Sequence, residues 1–126
     1  MKTLNIISSG YRATLEEQDD TVVWLTHALK GAGAEVDVLL RGAAANYVVE
    51  GQSAAPLSFG GRRQKHAPDV LGQVASLIDK GVGVFVVAEE LQRRGLERAS
   101  RLCGAQLVPE SRVAELIGRY DRVWHW

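Results

Sequence analysis

The stretch Val82-Gly83-Val84-Phe85-Val86-Val87-Ala88-Glu89-Glu90-Leu91-Gln92-Arg93-Arg94-Gly95 decides the fold. Val82–Val87 is a nearly unbroken apolar run, which a strand shows when both of its faces are covered, as at the centre of a parallel sheet. It passes directly into a short helical segment. In open α/β sheets that junction, outside the carboxyl end of a strand, is where ligands bind.

Outward from this centre, strands and helices alternate. Upstream, Leu4–Ile7 is a short apolar run ending at Ser8-Ser9-Gly10, a buried strand and its turn. Asp19 and Asp20 precede Val22, Leu25, Leu29 and Ala32, whose spacing lines one helical face; acidic groups in a first turn suit the positive end of the helix dipole. Gly31 and Gly33 end that helix, and Glu35 leads into a second strand, Val36–Leu40. Gly42–Val49 has the makings of a short helix, while Glu50–Ala67 shows neither helical nor strand period. A gap of that length is a functional loop, an interface segment or disorder. Pro68 suits the first position of a helix striped by Val70, Leu71, Val74, Leu77 and Ile78 and stopped at Gly81.

Downstream of Gly95 a helical pattern resumes through Leu96, Ala99 and Leu102. Gln106–Val108 is a short strand blocked by Pro109, and Ser111 can cap a helix whose Val113, Leu116, Ile117 and Tyr120 share a face. Arg122–Trp126 closes the chain as a strand. Five strands with intervening helices predict one domain over residues 1–126, a three-layer α/β/α architecture with a mainly parallel five-stranded sheet. The topology bounds the expected site by Ser8–Tyr11, Arg41–Gly42, Ala88–Glu90 and Pro109–Ser111.

Composition narrows the function classes. Fifteen basic and fifteen acidic residues cancel, which removes any general electrostatic case for nucleic acid or an anionic membrane. The single cysteine, Cys103, cannot form an internal disulfide and fits a reducing cytoplasm. The apolar run at Leu4–Ile7 is too short for a signal peptide or a membrane span.

The order and spacing of these segments resemble the DsrE/DsrF-like, or YchN-like, family of small intracellular sulfur-oxidation and sulfur-relay proteins. The likeness runs over nearly the whole chain. It rests on the strand ending Ser8-Ser9-Gly10, the passage Ala28-Leu29-Lys30-Gly31-Ala32-Gly33-Ala34-Glu35-Val36, the turn Leu77-Ile78-Asp79-Lys80-Gly81-Val82, the pair Arg94-Gly95, and Asp121-Arg122-Val123. The resemblance implies a flavodoxin-resembling fold, an oligomer (a homotrimer, a hexamer or ring built from trimers, or a heteromeric assembly of related subunits) and sulfur-relay partner proteins. It also implies a persulfide-bearing cysteine just past the central strand, where a helix N-terminus lowers the thiol pKa. Here the corresponding positions hold Val87, Glu89 and Glu90, and a carboxylate cannot carry a persulfide.

Other chemistry-bearing residues are scattered. Cys103, at the end of the Leu96–Leu102 pattern, reads as a small buried hydrophobe, since free cysteine is among the most buried residue types. A C-terminal helix end would raise its pKa rather than activate it. Glu89 and Glu90 read as a stabilising device of a first helical turn, worth ~0.3–1 kcal/mol each; alternatively they serve as an acid/base pair or coordinate a metal, although no second carboxylate pair or His-x-x-x-His joins them in sequence. Gly60-Gly61-Arg62-Arg63 reads as a solvated loop or subunit contact; alternatively Arg62 and Arg63 grip an anion bidentately. Ser8, Ser9, Gly10 and Arg41 are the remaining expected ligand contacts. His27, His66 and His125 lack metal-ligand spacing, so no metal and no cofactor is expected. Trp124 and Trp126 alternate with His125 and are large groups for a small core to cover, which suggests a subunit interface.

Three functional readings follow. The first is a non-catalytic, oligomeric binding or regulatory protein of the DsrE-like type. The second is a persulfide carrier using Cys103. The third is a small-molecule enzyme or anion-binding domain using Glu89 and Glu90 with Arg62 and Arg63.

Overall fold

The structure, a computed structural model, describes residues 1–11 and 19–126. Among them, five strands form one sheet: β1 (Lys2–Ile7), β2 (Glu35–Leu40), β5 (Val84–Val87), β6 (Gln106–Val108) and β7 (Arg122–His125). Their order is β6-β5-β2-β1-β7, and every neighbouring pair is parallel. A separate two-stranded hairpin, β3 (Ser58–Phe59) with β4 (Arg62–Arg63), stands outside the sheet. The sheet is flanked by helices, as the alternating pattern predicts.

Side chains alternate between the two faces of the sheet. On the first face, Ile7, Val38, Leu40, Val84 and Val86 pack under helices α1 (Thr21–Gly31) and α2 (Val70–Asp79), a 3-10 helix (Gly42–Val48) and α3 (Ala88–Arg93). On the second, Leu4, Ile6, Leu39 and Val87 are covered by Val113 and Leu116 of the short α4 (Val113–Ile117). Among the described residues that second cover is a single five-residue helix and its lead-in, so the two faces are unequally dressed.

Several local expectations are corrected. Asp20 is not inside the first turn of α1 but is its N-cap, accepting from the Val22 and Val23 backbone N–H groups at 3.0 and 2.9 Å. Asp69, not Pro68, starts α2, by accepting from the Gly72 N–H. Ser111 caps nothing; it sits in a 3-10 turn (Glu110–Arg112) ahead of α4. The buried face of α1 is Val23 and Thr26, while Val22, Leu25 and Leu29 are only half-buried and Ala32 is exposed. Thr26 accepts a hydrogen bond from the Asn5 side chain of β1 at 3.0 Å, which draws that rim of the helix onto the sheet.

Leu96, Ala99 and Leu102 do not continue a helix. They lie in successive turns closed by hydrogen bonds such as Ala99 N–H to Leu96 C=O, and the chain then pairs with the end of the 3-10 helix through the Val49–Arg101 bridge. The 50–67 stretch is not featureless either. Gly60 and Gly61 both have positive φ, +50° and +80°, the conformation a tight hairpin turn needs. Gln64, 2% exposed, anchors the hairpin: its backbone N–H donates to Leu57 C=O, and its side-chain oxygen accepts from Leu57 N–H.

Candidate functional site

The parallel sheet brings the carboxyl ends of β1, β2, β5 and β6 to one edge. There the chain leaves β2 through Arg41, whose N–H still donates to Ile7 C=O at 2.9 Å. Gly42 follows with φ +51°, and a Cβ on it would lie 2.8 Å from the Ser8 carbonyl oxygen. Only glycine fits that approach. The turn thus presses the β1 loop and the 3-10 helix together, and Ser8, Ser9, Gly10, Arg41, Glu89 and Glu90 do share the expected edge.

The two glutamates are not poised for acid/base work. Glu90 accepts from Arg94 at 2.8 Å and sits 3.7 Å from Arg93, with its side chain 14% exposed. Burial pushes its carboxyl up, but hydrogen bonds from Arg94 and the Gly42 backbone, with the charges of both arginines, outweigh burial and hold it below the usual value. Glu89 is occupied by the Glu110 backbone N–H at 2.6 Å, and Glu110 in turn pairs with Arg93 at 2.7 Å and lies 4.0 Å from Arg41. The arrangement is a closed ionic lattice that pins α3 to the turns after β2 and β6.

Arg62 and Arg63 do not join it. Both are exposed on the hairpin, and no hydrogen bond or ion pair links either to Glu89 or Glu90. Cys103 corrects its expectation more sharply. It is exposed, and it lies in a turn leading into β6, at the amino edge of the sheet opposite the candidate site. Among the described residues no group of three or more His, Cys, Asp or Glu could hold a metal ion, and no helix is long and apolar enough to cross a membrane.

Two features escape sequence reasoning. Ser8 Oγ lies 2.7 Å from His125 Nε2, a pairing that exists because β7 docks beside β1, and strand order is not written in local pattern. The second is a pair of adjoining clefts at the carboxyl edge on the first face. The larger, about 280 Å³, is lined by Gly10, Tyr11, Asn46, Tyr47, Gln52 and Asp69 among others. The smaller, about 190 Å³, shares Gly10 and Tyr11 and adds Asp19, Asp20 and Trp126. Their boundary is set by Tyr47, which donates to Asp20 Oδ2 at 2.6 Å and to the Ser9 carbonyl at 3.3 Å. Burial, reinforced by the Asp20 carboxylate, raises the Tyr47 pKa far above the ordinary phenol value, so this hydroxyl remains a donor. The sequence marks Asp20 as an acid at the start of α1, but neither its capping role nor the tyrosine beneath it is legible there.

A small α/β protein whose parallel sheet gathers its polar loops at one carboxyl edge is the class that this fold defines. The YchN protein from E. coli, known from its crystal structure, has this fold. It superposes with a TM-score of 0.73 over 100% of both chains at 15% identity. No protein-family model and no curated protein matches the chain.

Proposed function

We propose that this chain is a DsrE/DsrF-like protein of cytoplasmic sulfur relay that carries no persulfide itself and works as an oligomeric binding or regulatory member. One observation carries the reading. Where the resemblance requires a thiol, just past the central strand, the chain holds Glu89 and Glu90, and both carboxylates are consumed in fixing α3 to its neighbours. The only sulfur nucleophile, Cys103, stands at the other edge of the sheet. A carrier needs its thiolate beside the positive end of a helix or a cationic group. The separation of Arg62 and Arg63 from the glutamates weighs against the anion-processing alternative. What remains at the carboxyl edge is the Ser8–His125 contact and a pair of clefts with hydrogen-bonding walls, suited to holding a ligand or a partner's side chains.

The test is intact-mass analysis after incubation with a sulfane-sulfur donor, wild type beside Cys103→Ser. Neither protein is expected to gain mass. A gain of one sulfur that a reductant removes, seen in the wild type and absent in the variant, would overturn the reading and make Cys103 a persulfide carrier.

A further inference from the structure

We propose that β7 is a self-complementary edge on which a second copy of this chain docks in antiparallel register centred on Trp124, extending two five-stranded sheets into one. The inference deepens the oligomeric part of the proposed function and rests on it in that respect alone.

β7 is an outer strand whose residues are all exposed, Trp124 at 37% and the adjoining Trp126 at 49%. Its backbone has a definite polarity. Trp126 N–H donates to Ile6 C=O and Trp126 C=O accepts from Ser8 N–H, so the backbone groups of Trp126, and by alternation those of Trp124 and Arg122, point inward to β1. The N–H and C=O groups of Val123 and His125 face outward, where no strand pairs with them among the described residues. An unpaired row of this kind is a template for another strand.

The side chains match that template to itself. Register with β1 puts Arg122 and Trp124 on the face of Thr3 and Asn5, and alternation adds Trp126; Val123 and His125 are on the opposite face. In an antiparallel pair related by a two-fold axis, residue i meets j and j meets i. Centring the axis on Trp124 sets the outward-bonding Val123 against His125 of the second copy, and His125 against Val123. The same register sets Arg122 against the second copy's Trp126 on the first face, twice. Arg122 has no ion-pair or hydrogen-bond partner among the described residues, and a guanidinium over an indole is a favourable cation–π contact. The two Trp124 indoles meet on the axis. This is the alignment that overlaps the whole of Arg122–Trp126 with itself.

The helix above extends the surface. His27 and Asp19 face α2, through Gln73 and Lys80, so helical geometry turns Val22, Leu25 and Leu29 toward the β7 side of the sheet. Val22 and Trp126 line one cleft together. The half-buried apolar flank of α1 thereby continues the tryptophan face. A second copy is the occupant because the cationic and aromatic groups that complement one another lie on the same strand.

The test combines light scattering with site-directed cross-linking in a Cys103→Ser background. Directly opposed residues of a non-hydrogen-bonded antiparallel pair have Cα atoms about 4.5 Å apart, within disulfide reach. Trp124→Cys should therefore give a disulfide dimer under mild oxidation roughly ten-fold faster than Val123→Cys, whose two copies lie beyond the ~7 Å Cα limit. Val123→Pro removes an outward N–H while leaving the bonds to β1 intact, and should lower the assembly state with an unchanged circular dichroism spectrum. If that variant fails to fold, the cross-linking comparison decides alone. An oligomer in which Trp124→Cys links no faster than Val123→Cys overturns this interface and leaves the oligomeric reading standing. A monomer at every concentration, with no cross-link, overturns both.

Discussion

Glu90 illustrates how a residue with catalytic chemistry becomes a structural one. Its carboxylate is largely covered, receives Arg94 and the Gly42 N–H, and lies within reach of Arg93. Charge-assisted bonds of this kind contribute roughly 1–3 kcal/mol. Glu90→Gln should therefore lower stability by about 1–3 kcal/mol at neutral pH, read by urea denaturation. Because the folded carboxyl titrates below its unfolded value, the charge contribution is complete above about pH 4.3 and is lost as pH falls through the lower, folded value. The gap between wild type and variant should close at strongly acid pH. A gap of constant size across that range would mean that shape, not charge, holds α3 in place. The same lattice explains why the sequence alone leaves the roles of Glu89 and Glu90 open: adjacent carboxylates in a first helical turn look identical whether they face a substrate or a backbone N–H.

At the scale of elements, legibility followed burial. β5 and α2 were readable because their apolar residues are buried by their own neighbours, as Val84, Val86, Val74 and Leu77 show. The α1 stripe was misplaced because its buried face includes Thr26, a polar residue satisfied by Asn5 and by the Val22 carbonyl, which no apolar period reveals. The false helix at Leu96–Leu102 has a plain cause: turns closed by i to i+3 hydrogen bonds bring apolar groups inward every third residue, as one face of a helix does. The Asp20–Tyr47 contact joins α1 to the 3-10 helix and, through Ser9, to the loop after β1. Asp20→Ala should lose a cap worth about 0.5–2 kcal/mol. It also leaves the buried Tyr47 hydroxyl with only its longer contact to the Ser9 carbonyl, a charge-assisted bond lost at roughly 1–3 kcal/mol. Tyr47→Phe removes the hydroxyl itself, so the double variant should be less destabilised than the sum of the singles by about 0.5–3 kcal/mol in a denaturation cycle. Strict additivity would show that the two residues do not cooperate and that the clefts they border are held by packing alone.

Across the whole molecule, the two edges of the sheet are built for different ends. The carboxyl edge gathers the clefts and the polar loops, whereas the amino edge is tied shut around Asp37. Its Oδ1 accepts from Gly83 N–H at 2.7 Å, while Oδ2 accepts from the Tyr120 hydroxyl at 2.7 Å and lies 3.3 Å from Lys2 Nζ. The Lys2 ammonium also sits 4.9 Å from the centroid of the Tyr120 ring. One carboxylate, on a side chain 14% exposed, therefore links β1, β2, the approach to β5 and the approach to β7. None of this was legible beforehand, because the partners are separated by up to 83 positions in sequence and meet only once the strand order exists. Among the described residues β7 has β1 as its one sheet neighbour, so the Tyr120 anchor matters more to it than to the central strands. Asp37→Ala should lower global stability by roughly 1–3 kcal/mol in all, since the Gly83 N–H and the Tyr120 hydroxyl that lose their acceptor are only part-buried and water can reach them in its place. The loss should also be uneven. Hydrogen exchange should quicken first in the amides of β7 that donate to β1, while β1 and β2 keep their protection from one another. If β7 carries the contact with a second copy, the same substitution should weaken assembly beyond what the stability loss explains, although Asp37 sits two strands in from Trp124 and is not itself on β7. Unchanged exchange at β7 would mean that its ladder with β1 suffices, and that the amino-edge cluster serves the central strands instead.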